Sequence, residues 1–189
     1  MGNLSDYFAA GGGSNVLEYI EFQADGRVIT TLNNGDVTTG NPTTVLAATT
    51  SYQQLPGSNF SYIPPADTKY VSYTCKTNIY YNDTANIGHF CMGLDGTLVT
   101  STKNGWYVNY HYQDQWQVGG TIQIDSSFTD DLGAGKLSSW TTAKVLDTRF
   151  REYSSSYEFV ANDRYYQDGG GTSGETRVYK PIIKIIAYK

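Results

Sequence analysis

The stretch Tyr70-Val71-Ser72-Tyr73-Thr74-Cys75-Lys76-Thr77-Asn78-Ile79-Tyr80-Tyr81 decides the fold. Val71, Tyr73, Cys75 and Ile79 fall on one side of an extended chain and are mostly apolar. Ser72, Thr74, Lys76 and Asn78 fall on the other side and are polar. A period of two, carried by β-branched and aromatic residues, predicts a long, half-buried strand. Just upstream, Leu55-Pro56-Gly57-Ser58 reads as a turn and Phe60-Ser61-Tyr62 as a short strand. Pro64-Pro65 cannot donate ladder hydrogen bonds and marks a strand end. The long strand reads as the first of a β-sandwich, and the rest of the chain supplies its sheet partners.

Composition agrees. The chain has 189 residues, room for one domain and an appendage, with 17 Tyr and 20 Gly. Tyrosine suits a pleated, half-buried surface and glycine supplies turns with positive φ, so the class is all-β. The net charge of -5 comes without any cluster of Lys and Arg. Phosphate contacts need concentrated positive charge, so nucleic acid is not expected as a partner. No apolar run approaches the roughly 20 residues of a membrane span, so no membrane partner is expected either. Met1-Gly2-Asn3-Leu4-Ser5-Asp6 lacks the basic and apolar regions of a secretory signal, which predicts assembly in a cytoplasm.

Before the long strand, Ser5 to Ala10 suggests one helical turn and Gly11-Gly12-Gly13-Ser14 a flexible joint. Val16 to Phe22, Arg27 to Leu32 and Asp36 to Thr39, separated by Asp25-Gly26 and Asn34-Gly35, read as a small meander. A Thr-rich linker follows to Thr50. The predicted division is an arm over 1–50 and an antiparallel sandwich over 51–189. The alternative is that the meander packs on the sandwich as an extra hairpin. In the main part, Ile87 to Leu94 and Thr97 to Ser101 flank a hairpin turn at Asp95-Gly96, and Asn104-Gly105 predicts another turn. Trp106 to Gln113 alternates as a strand, and Trp116, Val118, Ile122 and Ile124 continue an apolar face. Ser126 to Ser139 reads as loop, Trp140 to Phe150 and Tyr153 to Tyr166 as strands, and Asp168 to Glu175 as a Gly-rich loop. The closing strand has one apolar face of Tyr179, Ile183, Ile185 and Ala187. Its other face, with Ile182, Ile186 and Tyr188, is half apolar, so it predicts two covers: its own core and a neighbouring subunit.

Catalytic signals are sparse. His89 and His111 have no metal-ligand spacing around them and read as structural. No nucleophile elbow, P-loop or dinucleotide fingerprint occurs, and Gly169-Gly170-Gly171 precedes no predicted helix. Carboxylates are available as a pair for glycan cleavage, for instance Asp125 with Asp130 or Asp131, and Asp130-Asp131 reads more simply as a solvated loop. No cofactor, metal site or enzyme activity is expected. The sequons at Asn3, Asn59 and Asn82 read as chance matches. A hairpin centred on Asp83 would set Cys75 opposite Cys91, but the alternation turns Cys91 outward while Cys75 points in, which predicts two free thiols. Tyr107, Tyr110, Tyr112 and Trp116 are the candidate sugar-stacking platform, although alternation puts part of that set in the core.

Ser51-Tyr52-Gln53, Leu55, Gly57-Ser58, Phe60-Ser61-Tyr62, Pro64-Pro65, Val71 and Tyr73 resemble the opening strands of jelly-roll domains in virion proteins of tailed phages and large aquatic viruses. Those domains are similar to trimers of the tumour-necrosis-factor fold. His89-Phe90 with Leu94-Asp95-Gly96-Thr97 and Val99 resembles their next hairpin, and Tyr179 to Ala187 their closing strand. The resemblance implies a jelly-roll virion protein, trimeric, on the particle surface as capsid decoration or fibre component, with an N-terminal arm that fixes it to other virion proteins. The expected homotrimer interface is Ile182, Ile186 and Tyr188. The expected attachment residues are Val16, Leu17, Tyr19, Ile20 and Phe22. The alternative is a carbohydrate- or receptor-binding module of a tail fibre, with Tyr107 and Trp116 touching a host glycan.

Overall fold

The computed structural model describes residues 15–81, 86–108, 113–156, 159–166 and 175–189. The expected turn over Ser5 to Ala10, the Gly11 to Ser14 joint, the Asp83 turn, Tyr110, His111, Tyr112 and the Gly169 to Gly171 run lie outside them. Among the described residues the chain is strand, turn and loop. The strands are β1 (Val16–Gln23), β2 (Val28–Thr31), β3 (Gly35–Thr38), β4 (Leu46–Ala47), β5 (Gln53–Gln54) and β6 (Phe60–Tyr62). The long ones follow: β7 (Tyr70–Tyr81), β8 (Asn86–Leu94), β9 (Thr97–Val108) and β10 (Gln113–Ile124). Then come β11 (Lys136–Leu137), β12 (Lys144–Glu152), β13 (Phe159–Ala161), β14 (Asp163–Tyr166), β15 (Glu175–Val178) and β16 (Ile182–Tyr188).

A seven-stranded sheet runs β1-β16-β7-β10-β11, with β13 and β4 continuing beside β7. A five-stranded sheet runs β5-β12-β8-β9, with β6 also on β12. If β5 and β6 are taken together as one broken strand, eight principal strands in chain order make the sheets 1-8-3-6 and 2-7-4-5. That is the order of a jelly roll, an antiparallel double sheet built by rolling up a long hairpin. The expected sandwich is therefore present, with β7 matching the quoted stretch residue for residue. Its inward row, Val71, Tyr73, Cys75 and Ile79, is buried, as are Ile183, Ile185 and Ala187 of β16 beside it.

The roll starts earlier than the sequence reading placed it. β1 pairs with β16 from Val16 to Gln23, so it is the first strand of the sandwich and not part of a meander. Ile20 and Phe22 face inward and are buried, with the Phe22 ring 4.9 Å from Phe60. They are therefore not available for attachment to a partner, and the boundary at residue 50 separates no independent arm. The β2–β3 hairpin stands alone as a pair, held by side chains: Asn33 donates to Pro64 O at 2.7 Å and Asn34 to Ser61 O at 3.1 Å. Glu18 joins these parts, accepting from Leu32 N at 2.8 Å and from the Tyr62 hydroxyl at 2.7 Å. The short β4 pairs with β13, and β5 with β12, so the segment from 46 to 54 runs against both sheets. Sequence periodicity identified β1 as a strand but carried no information on which strand it would join.

Three further expectations change. β7 and β8 lie in different sheets and do not pair as the expected hairpin, because each finds its partners elsewhere. Asn104-Gly105 is not a turn: both residues sit in the β8–β9 ladder, opposite Phe90 and His89. Trp106 thus lies within β9 while Trp116 lies in β10 on the facing sheet. The segment from Tyr153 to Tyr166 is broken at Asn162, whose φ is 60°. By contrast Asp95-Gly96 turns as expected, with φ of 48° and 78°, both positive as this hairpin turn requires.

The turn at Leu55 to Ser58 ties the two sheets together. Pro56 and Gly57 occupy its centre, Gly57 has φ 80°, and Ser58 N bonds Leu55 O at 3.1 Å, the arrangement of a type II turn. Leu55 N bonds Thr148 O at 2.8 Å, and Thr148 N bonds Ser58 Oγ at 3.0 Å, which fixes the turn to β12. From the opposite sheet, the Tyr73 hydroxyl donates to Ser58 O at 2.6 Å. Asn162 reaches the same turn, donating to Pro56 O at 2.8 Å while accepting from Thr77 at 2.7 Å.

Two outcomes follow from this packing. Phe22→Ala should lower unfolding stability by about 3–5 kcal/mol in a denaturant titration, and a chain beginning at Ser51 should show no cooperative melt by circular dichroism; an unchanged midpoint in either would mean that β1 lies outside the core. Tyr73→Phe should cost about 1–2 kcal/mol in the same titration, because it leaves a buried carbonyl without its donor.

Candidate functional site

The carboxylates considered for catalysis serve the loops. Asp125 accepts from Ser127 N and Oγ, both at 2.8 Å, and Asp130 accepts from Ser138 N at 2.6 Å and Oγ at 2.7 Å. These bonds hold both carboxyls below their ordinary range, the opposite of what a general acid needs. Asp131 accepts from Ala134 N at 3.0 Å. The open depression that Asp130 and Asp131 border, about 690 Å³, is also lined by Thr97, Phe128, Leu132 and Lys136, and the Lys136 ammonium lies 5.4 Å from the Phe128 ring centre. Among the described residues no group of three metal-ligating side chains occurs.

The thiols are equally removed from chemistry. Cys75 and Cys91 are both free and both buried, in different sheets. Burial pushes the Cys75 thiol up to about 12 and raises Cys91 as well, so neither presents a thiolate. Cys91 is not turned out to solvent as its alternation predicted. A ladder irregularity between Phe90 and Met92 folds β9 over it, and its Sγ lies 3.1 Å from Val99 O.

The expected sugar platform does not form around Trp116. That side chain is only 8% exposed and packs between Phe90, at 4.8 Å, and Trp106, at 3.8 Å, as a bridge between the sheets. An indole stacked this way has no face left for a pyranose. The backbone of Tyr107 pairs with Ile87 in β9; its side chain lies outside the described ones.

The outer face of the seven-stranded sheet carries the residues expected at a subunit interface. Ile182, Ile186 and Tyr188 lie on it, each half-buried, and Val16 and Leu17 at the start of β1 are half-buried too. Register brings Tyr19 beside Ile186, and Tyr188 beside Tyr70. Tyr19 is 37% exposed and Tyr70 45%, so one end of the face is aromatic and aliphatic across three strands. The Tyr19 hydroxyl bonds Glu21, which pushes the phenol up to about 12 and fixes the ring on the surface. Toward β10 the face becomes uncharged and polar: Gln115, Gln117, Thr121 and Gln123 all stand exposed. Tyr70 and these glutamines were missed as a group, although the alternation of β7 already set Tyr70 on the Ser72 side.

No protein-family model matches the sequence, and no curated protein matches it. Among solved structures, that of infectious bursal disease virus Gx strain is similar over 85% of this chain and 44% of its own, with 11% identity and a TM-score of 0.27. The T13 IBDV viral particle is similar over 84% of this chain and 42% of its own, with 12% identity and a TM-score of 0.23. The chain thus spans less than half the length of either of these viral chains.

Proposed function

We propose that the chain is a structural, non-enzymatic virion protein of a phage, carried on the particle surface as capsid decoration or as part of a fibre, and that it assembles as a homotrimer. The observation that carries the reading is the outer face of the seven-stranded sheet. Tyr19, Tyr70, Ile186 and Tyr188 place a continuous apolar end there, where an isolated chain would hold it against water. Contiguous exposed apolar surface favours association, and closed symmetry limits that association to a defined number of copies. The neutral Gln115, Gln117 and Gln123 beside it suit such a contact, since they bring hydrogen bonds without the desolvation cost of a charge. The opening and closing strands that resemble phage jelly rolls support the same reading. Attachment to other virion proteins is left to Val16, Leu17 and Tyr19, because Ile20 and Phe22 belong to the core.

Ile186→Glu puts a charge in the middle of this face without touching the core. Light scattering on the purified full-length chain should give a trimer for the wild type and a monomer for the variant, with melting temperatures of the monomers' fold little changed. A wild type that stays monomeric at micromolar concentration overturns the trimer. Electron microscopy of purified particles labelled with an antibody to this chain tests the virion assignment itself, which requires label on the particle surface.

A further inference from the structure

The outer face of the five-stranded sheet carries a different chemistry. Arg151 on β12, His89 on β8 and Gly105 on β9 share one register row, and Lys103 lies two residues before Gly105. The Arg151 guanidinium carbon is 5.4 Å and the Lys103 Nζ 5.9 Å from the centre of the Tyr52 ring, just ahead of β5. One aromatic ring thus gathers two cations, each attracted by its π face. Arg149 nearby is neutralised by the buried Asp147, at 2.6 Å. Lys103 and Arg151 have no carboxylate within salt-bridge reach among the described residues. Arg151 is oriented instead by the carbonyls of Glu152, at 3.2 Å, and Thr50, at 3.5 Å.

Two like charges held on one ring repel each other, and an anion between them relieves the repulsion. Burial, and after it the Arg151 charge, holds the His89 imidazole below its ordinary value. Such a concentration of positive charge stands out on a chain whose net charge is -5. Beside it, Tyr153 is 57% exposed and its ring centre is 6.0 Å from that of His89. Gly105 keeps the face shallow: a Cβ there would come within 3.0 Å of His89 Cδ2.

We propose that this face binds an acidic sugar, a pyranose bearing a carboxylate or a sulfate, with Lys103 and Arg151 taking the anion and Tyr153 packing against the ring. Charge complementarity selects the anion, and the small footprint selects a single acidic group: two free cations suit one carboxylate or sulfate, whereas a nucleic-acid strand needs a run of them tracking its phosphates. The exposed phenol supplies the apolar surface that a pyranose face stacks on and an acidic peptide does not require. The site lies on the opposite sheet from the apolar face described above, and it stands whether or not the chain belongs to a virion.

The test is calorimetric titration of the full-length chain with sialyllactose, a sulfated disaccharide, neutral lactose and a glutamate-rich peptide. The expected result is binding of sialyllactose or of the sulfated disaccharide, weakened by added salt, with none for lactose at the same concentrations. Lys103→Gln should weaken that binding roughly fivefold with an unchanged melting temperature, since Lys103 is exposed, and Tyr153→Ala should weaken it as well. Failure of the wild type to bind either acidic sugar overturns the proposal, as does binding that Lys103→Gln leaves intact. Tighter binding of the glutamate-rich peptide than of either sugar also overturns it and makes the occupant an acidic protein segment.

Discussion

Tyr73 crosses the core to reach the turn that the other sheet carries. Its hydroxyl ends 2.6 Å from Ser58 O and 3.3 Å from the Thr148 hydroxyl, in a setting with no water to replace either bond. Burial raises the phenol well above its ordinary value, so it stays a donor at any ordinary pH. A β-sandwich core is otherwise non-directional: apolar side chains tolerate sliding of one sheet over the other. A buried hydrogen bond does not, because losing its geometry strands a polar group in an apolar medium. The Leu55 to Ser58 turn therefore acts as a pin, bonded to β12 on one side and to Tyr73 and Asn162 on the other. Gly57 belongs at its centre for steric reasons too, since a Cβ there would lie 2.6 Å from the Pro42 ring.

With the sheets pinned, the jelly roll has two broad outer faces, and they differ. The seven-stranded face is partly apolar and rich in tyrosine and glutamine, with Lys76, Lys184 and Glu21 also on it. The five-stranded face gathers Lys103 and Arg151 on Tyr52. The first has the character of a protein contact and the second that of an anion-binding surface. The cysteines and loop carboxylates that could be read as chemical groups are explained by packing or by local hydrogen bonds among the described residues.

Much of this was legible in the sequence and some was not, for identifiable reasons. Period-two alternation in β7 and β16 gave strand, face and core together, because both strands have one covered side and one open side. The Asp95-Gly96 hairpin was legible because its backbone demands positive φ. Asn104-Gly105 carries the same dipeptide chemistry and misled, since the long pairing of β8 with β9 overrides a local preference. The place of β1 was hidden because pairing with β16 joins residues at opposite ends of the chain, and no local pattern encodes a partner that distant. Trp116 looked like a platform on aromatic content alone; its partner Trp106 comes from the other sheet, and no local pattern encodes that contact. The Tyr52, Lys103 and Arg151 group was invisible for the same reason, being drawn from three separated segments.

Native-state amide hydrogen exchange tests the central claim, that β1 and the pinned turn belong to the same cooperative unit as β7 and β16. The account predicts that the β1 amides bonded to β16, together with those of Leu55 and Thr148, exchange as slowly as the slowest amides of β7. Exchange of the β1 amides orders of magnitude faster than those of β7, under conditions where the sandwich stays folded, would contradict it.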